Sequence, residues 1–146
     1  MRLSTKIRYG YRLMVELAMH WGEPAVALKE ISERQNISLL YLRQIIMSLE
    51  AAGLVKSHRG SKGGYALARA PESIDLIEIT RALEGPMALV ECIDDPGACE
   101  RSEWCATRLL WKQMTEQIEK VFSSQTLAGL TSKQIKFEKS KPVATD

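Results

Sequence analysis

The sequence of 146 residues predicts a mainly α-helical fold with one small β-hairpin. A short helix, a tight turn and a longer helix follow one another over residues 28–52. Two short strands then flank a glycine-rich basic turn over residues 54–68, and a long amphipathic helix covers residues 105–122. A hairpin directly after a helix-turn-helix is the wing of a winged helix, so we expect a winged helix-turn-helix followed by a long helix.

Helical spacing of apolar residues places the helices of the amino-terminal half. A first helix is expected from Ser4 or Thr5 to about Trp21, because a glycine and a proline follow its apolar stripe. The helix-turn-helix consists of a short helix over residues 28–35 and a second helix over residues 38–52. The second helix has a continuous apolar face, which we expect to lie in the core, and a more polar face turned outward.

The pattern of residues changes after the second helix. Strands are expected over 54–58 and 65–68, joined by a turn whose glycines adopt positive backbone angles. Short and long helices follow over 76–84 and 105–122, and we expect no later segment to be large enough to bury the apolar stripe of the long helix. That stripe consists of Leu110, Met114, Ile118, Val121 and Phe122. The polar, lysine-rich residues 132–146 predict a disordered tail.

The distribution of charge suggests a nucleic-acid partner for the first half. Residues 1–70 hold eleven Lys and Arg against five Asp and Glu, a net of +6, whereas residues 71–146 hold nine against thirteen, a net of −4. A basic half is the electrostatic pattern expected of a protein that lies on phosphates. No stretch reads as a signal peptide or a membrane span, so we expect a cytoplasmic protein whose thiols stay reduced or bind metal.

The outward face of the second helix carries side chains that suit the major groove of DNA. Those expected to reach base edges are Ser38, Leu40, Tyr41, Arg43 and Gln44. Arg43 could pair with guanine, Gln44 with adenine, and Leu40 could touch a thymine methyl group. Arg59 and Lys62 project from the hairpin turn, where Arg59 suits insertion into a minor groove. The alternative is an ordinary solvated surface.

All three cysteines of the chain, Cys92, Cys99 and Cys105, lie in one short window. Clustered thiols in a chain without an export signal indicate a metal site or a redox switch more readily than a disulfide scaffold. Pro96-Gly97 is expected to prevent a regular element between the first two cysteines. The alternatives are unremarkable loop cysteines, a metal-free thiol switch, and zinc, whose usual sites have tighter Cys-x-x-Cys spacing.

Five segments of the chain resemble the IscR-type family of iron–sulfur winged-helix transcriptional regulators. They are residues 1–10, 37–42, 53–67, 81–92 and 126–130, and the resemblance spans residues 1 to about 131. It implies a homodimer that associates through the long helix and reads a palindromic double-stranded DNA operator. It also implies that Cys92, Cys99 and Cys105 ligate an iron–sulfur cluster, more often 2Fe-2S than 4Fe-4S.

The chain departs from the family pattern at several positions. IscR carries a glutamate where this chain has Arg43, so the operator sequence cannot be transferred. The first cysteine gap has six residues here and five in IscR. IscR uses a histidine as fourth ligand where this chain has Arg108, and related nitric-oxide sensors use an acidic residue where it has Arg8. The fourth ligand is left open among an external ligand, a donor from the partner subunit and nearby carboxylates, namely Glu91, Asp94, Asp95, Glu100 and Glu103.

These observations predict a regulator in four segments rather than an enzyme. Residues 1–85 form the DNA-binding domain, 86–105 the cluster loop, 106–131 the dimerisation helix with its end segment, and 132–146 the tail. No general base is placed near the thiols, and no glycine-rich loop opens a helix as a phosphate site would. We expect a sensor of cluster, redox or nitric oxide status. The alternative is a cluster-free repressor of the same family, controlled by thiol oxidation or a partner protein.

Overall fold

The computed structural model describes residues 2–141 of the chain. Within that range there are seven α-helices and one antiparallel pair of strands. In chain order they are α1 (Thr5–Met19), α2 (Leu28–Gln35), α3 (Leu39–Ala51), β1 (Val55–His58), β2 (Gly64–Leu67), α4 (Leu76–Glu84), α5 (Glu91–Asp94), α6 (Ala106–Ser123) and α7 (Leu127–Lys139). The predicted mainly helical fold with a small hairpin and a long helix near its end is confirmed.

Helix α1 begins where the sequence predicts and ends earlier. The Ser4 hydroxyl accepts a hydrogen bond from the backbone of Ile7 and caps the helix. The helix stops at Met19, because Gly22 adopts a left-handed φ of 85° in the turn that follows. Trp21, which was predicted to end this helix, therefore lies beyond it and is 46% exposed.

Helices α2 and α3 form the predicted helix-turn-helix. The turn depends on Asn36, which adopts a left-handed φ of 50°, a conformation that asparagine tolerates better than most residues. Ile37 follows it and is buried. The inward face of α3 is the predicted one and consists of Leu42, Ile45, Ile46 and Leu49, all fully or almost fully buried. This face fixes which side of α3 points away from the core.

The wing is a hairpin that is also tied to the start of α2. β1 and β2 pair antiparallel from Val55 opposite Leu67 to His58 opposite Gly64. Val26 adds a third chain segment, since its N–H donates to the Tyr65 carbonyl at 2.9 Å and its carbonyl accepts from Tyr65 at 2.8 Å. The wing is thereby held in register with the segment that leads into the helix-turn-helix.

Helix α7 corrects the prediction of a disordered tail from residue 132. Thr126 caps the helix through Gly129, and the helix continues to Lys139. Leu127 anchors it in the core and is fully buried. The helix packs against α1 rather than α6. Lysines near its carboxyl end also interact favourably with the helix dipole. Residues 142–146 lie outside the described residues.

The apolar stripe of α6 remains open on this chain, with one member placed differently from the prediction. Leu110 and Val121 are 50% and 56% exposed. Phe122 instead turns inward and packs on Tyr11, with ring centroids 6.1 Å apart. Ion pairing between Arg81 and Glu119 joins the inward side of α6 to α4. None of the described helices is both long enough and apolar enough to cross a membrane.

Candidate DNA-binding surface and cysteine loop

The outward face of α3 presents four of the five predicted base-contacting residues openly to solvent. Leu40 is 69% exposed, and Ser38, Arg43 and Gln44 are exposed as well. The Ser38 hydroxyl accepts a hydrogen bond from the Tyr41 backbone at 3.1 Å, so it caps the helix. Arg43 and Gln44 thus project from the first two turns of a helix whose other face is locked in the core, as groove reading requires.

Tyr41 has a packing role in addition to its predicted one. Its ring is half-buried and meets Tyr9 edge-on, with centroids 5.9 Å apart. The guanidinium groups of Arg8 and Arg12 lie 5.8 Å and 5.5 Å from the centre of the Tyr9 ring. This arrangement attaches the start of α3 to α1 and places two further cations beside it.

A cleft lies between α3 and the wing, and Lys29 and Met47 in its lining were not among the predicted DNA-contacting residues. Lys29, Arg43 and Met47 line it on the helical side, and Gly63 and Tyr65 on the wing side. Met47 is 67% exposed despite being apolar. A lysine in the first turn of the leading helix was the available signal for this site, because that turn commonly crosses the phosphate backbone.

The wing turn places the predicted Arg59 and Lys62 in solvent. Gly60 has a φ of 113°, which favours glycine, and its carbonyl accepts from the Gly63 N–H at 3.0 Å. A side chain at Gly63 would meet the His58 carbonyl at 2.6 Å, so this turn requires glycine twice. The two cations therefore stand on a tight turn of fixed shape.

A buried carboxylate, which was not among the residues predicted to have a role, holds the helix-turn-helix against α1. Glu16 is 3% exposed. One of its oxygens accepts from Arg34 at 2.8 Å, and the other accepts from the Gln35 side-chain amide at 2.7 Å. The hydrogen bond to Glu16, together with the attraction between the two charges, raises the pKa of Arg34 above its ordinary value. Both partners lie at the end of α2, so these bonds fix the position of α2, which leads into α3.

The cysteines occupy a loop built from short turns. Cys92 lies in α5, which corrects the prediction of no regular element between the first two cysteines. The helix fits because it ends at Asp94, before Pro96, and Pro96 opens a 3-10 turn over Pro96–Ala98. Another 3-10 turn covers Ser102–Trp104. All three cysteines are free; Cys99 is exposed, whereas the other two are half-buried.

Cys105 stands where α6 begins and is biased toward the thiolate. Its sulfur lies 3.1 Å from the Thr107 hydroxyl, and this hydrogen bond is the main cause of a lowered pKa. Backbone N–H groups of Arg108 and Thr107 and the charge of Arg101 act in the same direction. Iron and zinc bind the thiolate form, so this sulfur suits a metal ligand as well as a reactive thiol.

The donor set of the loop fits an iron–sulfur cluster in chemistry, because three free thiols lie within a short, solvent-accessible stretch. Among the described residues, however, no three potential ligands are already gathered at metal-binding distance. Arg108, at the position of the family's histidine ligand, is engaged otherwise. Its Nε donates to the Cys92 carbonyl at 2.9 Å, and one terminal nitrogen donates to the Ser102 carbonyl at 3.3 Å.

Comparison with known proteins finds similarity to proteins that are named as transcriptional regulators. The family model Rrf2, described as "Iron-dependent Transcriptional regulator", matches residues 3–133. The HTH-type transcriptional regulator CymR of Bacillus subtilis is 42% identical over 132 residues, which cover 90% of this chain and 91% of that protein. The structure titled "T. potens IscR" is 38% identical with a TM-score of 0.78 and covers 99% of this chain and 94% of that one. The oxidised form of Staphylococcus aureus CymR is 38% identical with a TM-score of 0.72, over 90% and 96% of the two chains.

Proposed function

Because the chain belongs to the Rrf2 family of transcriptional regulators, we propose that it is a homodimeric, cytoplasmic DNA-binding regulator controlled through its cysteine loop. The observation that carries the proposal is the placement of all three cysteines between the wing-bearing domain and the long helix. A change at these thiols acts on the segment that joins the DNA-reading unit to the dimer helix. Such a change can alter the spacing of two reading units at once.

The DNA grip is assigned to two exposed elements. Arg43 and Gln44 of α3 read base edges in the major groove, with Leu40 against a thymine methyl group. Arg59 and Lys62 of the wing contact the minor groove and the adjoining phosphates. Support comes from their exposure on a helix and a turn that are otherwise held rigidly. Ser38 and Tyr41 complete the interface while also fixing the start of the helix.

The homodimer forms through α6 and reads a palindromic operator. Leu110 and Val121 share one exposed face of the helix, with Met114 between them. An exposed apolar stripe of this length is typical of a protein interface. Two-fold symmetry then places two reading helices against two half-sites of matching symmetry.

The cysteine loop holds an iron–sulfur cluster in this proposal, with Cys92, Cys99 and Cys105 as ligands and 2Fe-2S favoured over 4Fe-4S. When bound, such a cluster supplies sensitivity to oxidation, nitric oxide or loss of iron. The residues around it do the rest, since the hydrogen bond with Thr107 lowers the pKa of Cys105 and Arg108 leaves the fourth position to another donor. Support comes from the free thiols and from the likeness to an IscR structure.

A cluster-free regulator controlled by thiol oxidation is the second candidate. The lowered pKa of Cys105 favours it, because the thiolate is the form that oxidants attack. The likeness to an oxidised CymR structure also supports it. In that case Cys99, the most exposed of the three thiols, is the natural resolving partner.

Selection of binding sites from random duplex DNA by the anaerobic protein tests the proposal. We expect a symmetric site, and Arg59→Ala should weaken its binding by about 1–3 kcal/mol with a smaller salt dependence. Lys136→Ala, an exposed cation on α7, is the control and should bind like the wild type. Equal losses in both variants, or selection of sites without two-fold symmetry, would contradict the assigned DNA grip.

A further inference from the structure

Arg108 connects separate turns of the cysteine loop. It lies in the first turn of α6, three residues beyond Cys105. Its Nε donates to the main-chain carbonyl of Cys92 in α5, at 2.9 Å. A terminal nitrogen donates to the carbonyl of Ser102 in the last 3-10 turn, at 3.3 Å. One half-buried guanidinium therefore joins both turns to the start of the long helix.

Ser102 extends this connection to the remaining cysteine. It is the one buried residue of the loop between Cys92 and Cys105, at 6% exposure. Its backbone N–H donates to the Cys99 carbonyl at 3.1 Å, and its hydroxyl donates to the same oxygen at 2.8 Å. The main chain at Cys92 and Cys99 is thus linked, through Arg108 and Ser102, to the start of α6 beside Cys105.

We propose that Arg108 is a positioning residue that orders the main chain of the thiol loop before any cofactor binds. The purpose of that order rests on the function proposed above, but the order itself does not. A guanidinium suits the task because it is always charged and its planar fork can donate to two carbonyls at once. A lysine ammonium lacks that fork, and a neutral side chain loses the charge assistance.

The same contacts account for the departure from the histidine-bearing family members. A side chain bound to two loop carbonyls is not available as a fourth ligand, and arginine has no lone pair to offer a metal. In this chain the position serves the loop's main chain instead. The fourth donor must then come from elsewhere in the loop, from the partner subunit or from a small molecule.

Hydrogen exchange of the reduced, chelator-treated full-length protein tests the proposal without any cluster. Arg108→Ala should speed exchange of the loop amides of Ser102 and Trp104 about tenfold or more, as loss of a charge-assisted hydrogen bond implies. In Arg108→Lys the exchange rates of these amides should lie between those of Arg108→Ala and those of the wild type. Arg101→Gln is the control, because that arginine stacks on Trp104 without bonding the loop carbonyls. Amides of α3 should not change in any variant.

The possible results separate this proposal from the cluster proposal. Loop exchange in Arg108→Ala that equals the wild type would overturn the positioning role, as would an equal acceleration in Arg101→Gln. If Arg108→Ala fails to fold, Arg108→Lys is judged by the same comparison. Faster loop exchange together with a wild type that takes up no iron would support the role of Arg108 and refute the cluster. After anaerobic reconstitution, the visible circular dichroism of Arg108→Lys should differ from that of the wild type, while that of Lys120→Gln, which removes an exposed cation near the other end of α6, should match it.

Discussion

Substitution of Glu16 offers a quantitative test of how the reading helix is positioned. Removal of one partner of a fully buried ion pair costs about 3–5 kcal/mol. The Arg34 side chain is 47% exposed, so water can still solvate it after the loss. The remaining cost comes from two hydrogen bonds to a charged group and from the empty space in the core. We therefore expect Glu16→Ala to lower the free energy of unfolding by about 2–4 kcal/mol.

Urea denaturation at a fixed protein concentration measures this change, since the stability of the proposed homodimer would depend on concentration. Glu23→Ala is the matched control. Glu23 also bonds a neighbour, the His20 ring at 2.6 Å, but its side chain is 60% exposed. Its removal should cost less than about 1 kcal/mol. Equal destabilisation of the two variants, within about 0.5 kcal/mol, would show that the bonds of Glu16 do not hold α2 against α1.

Three further predictions concern the wing, the thiols and the core. Gly64→Ala should weaken DNA binding and destabilise the hairpin, because the new Cβ would collide with the Val26 carbonyl oxygen. Fluorescence anisotropy with the selected operator measures the affinity for DNA, and an affinity equal to that of the wild type would contradict the close packing. Alkylation of Cys105 in the iron-free protein should have a midpoint pH below the ordinary pKa of cysteine. Thr107→Val removes the hydroxyl and should raise this midpoint, whereas Thr107→Ser keeps the hydroxyl and should not. Burial raises the pKa of Tyr11 to about 12, so the folded state holds this proton more tightly than the unfolded state. The free energy of unfolding should therefore keep the whole contribution of Tyr11 below about pH 10 and lose it as the pH rises toward 12. Tyr11→Phe is the control, and the same decline in that variant would contradict the prediction.

Local patterns in the sequence were sufficient to predict the helix-turn-helix and the wing. The inward face of α3 follows from 3.6-residue spacing, and the hairpin follows from glycines that only a tight turn requires. Errors occurred where tertiary packing decided the outcome. Phe122 turns inward because Tyr11 offers it a packing partner across the chain, which spacing within one helix does not reveal. Residues 132–139 stay helical because Leu127 anchors their helix in the core.

The residues of the candidate site also divide into those that sequence patterns predict and those that depend on tertiary packing. The three cysteines lie close together in the sequence, so a thiol cluster could be predicted without a structure. Glu16 was not recognisable, because a single acid in an apolar helix usually marks solvent exposure, and its partners lie a whole helix away. The sequence showed only that Arg108 replaces the histidine ligand of the family. Its bonds to Cys92 and Ser102 could not be predicted, because they depend on how the loop folds back on α6.

Iron and acid-labile sulfide in the anaerobically purified protein, compared with Cys99→Ala, test the central claim most directly. A 2Fe-2S cluster predicts about two iron atoms and two sulfides per protomer with visible absorption, and the loss of all three in a variant that still folds and dimerises. A colourless wild type, or a variant that retains its iron and its spectrum, would contradict the account.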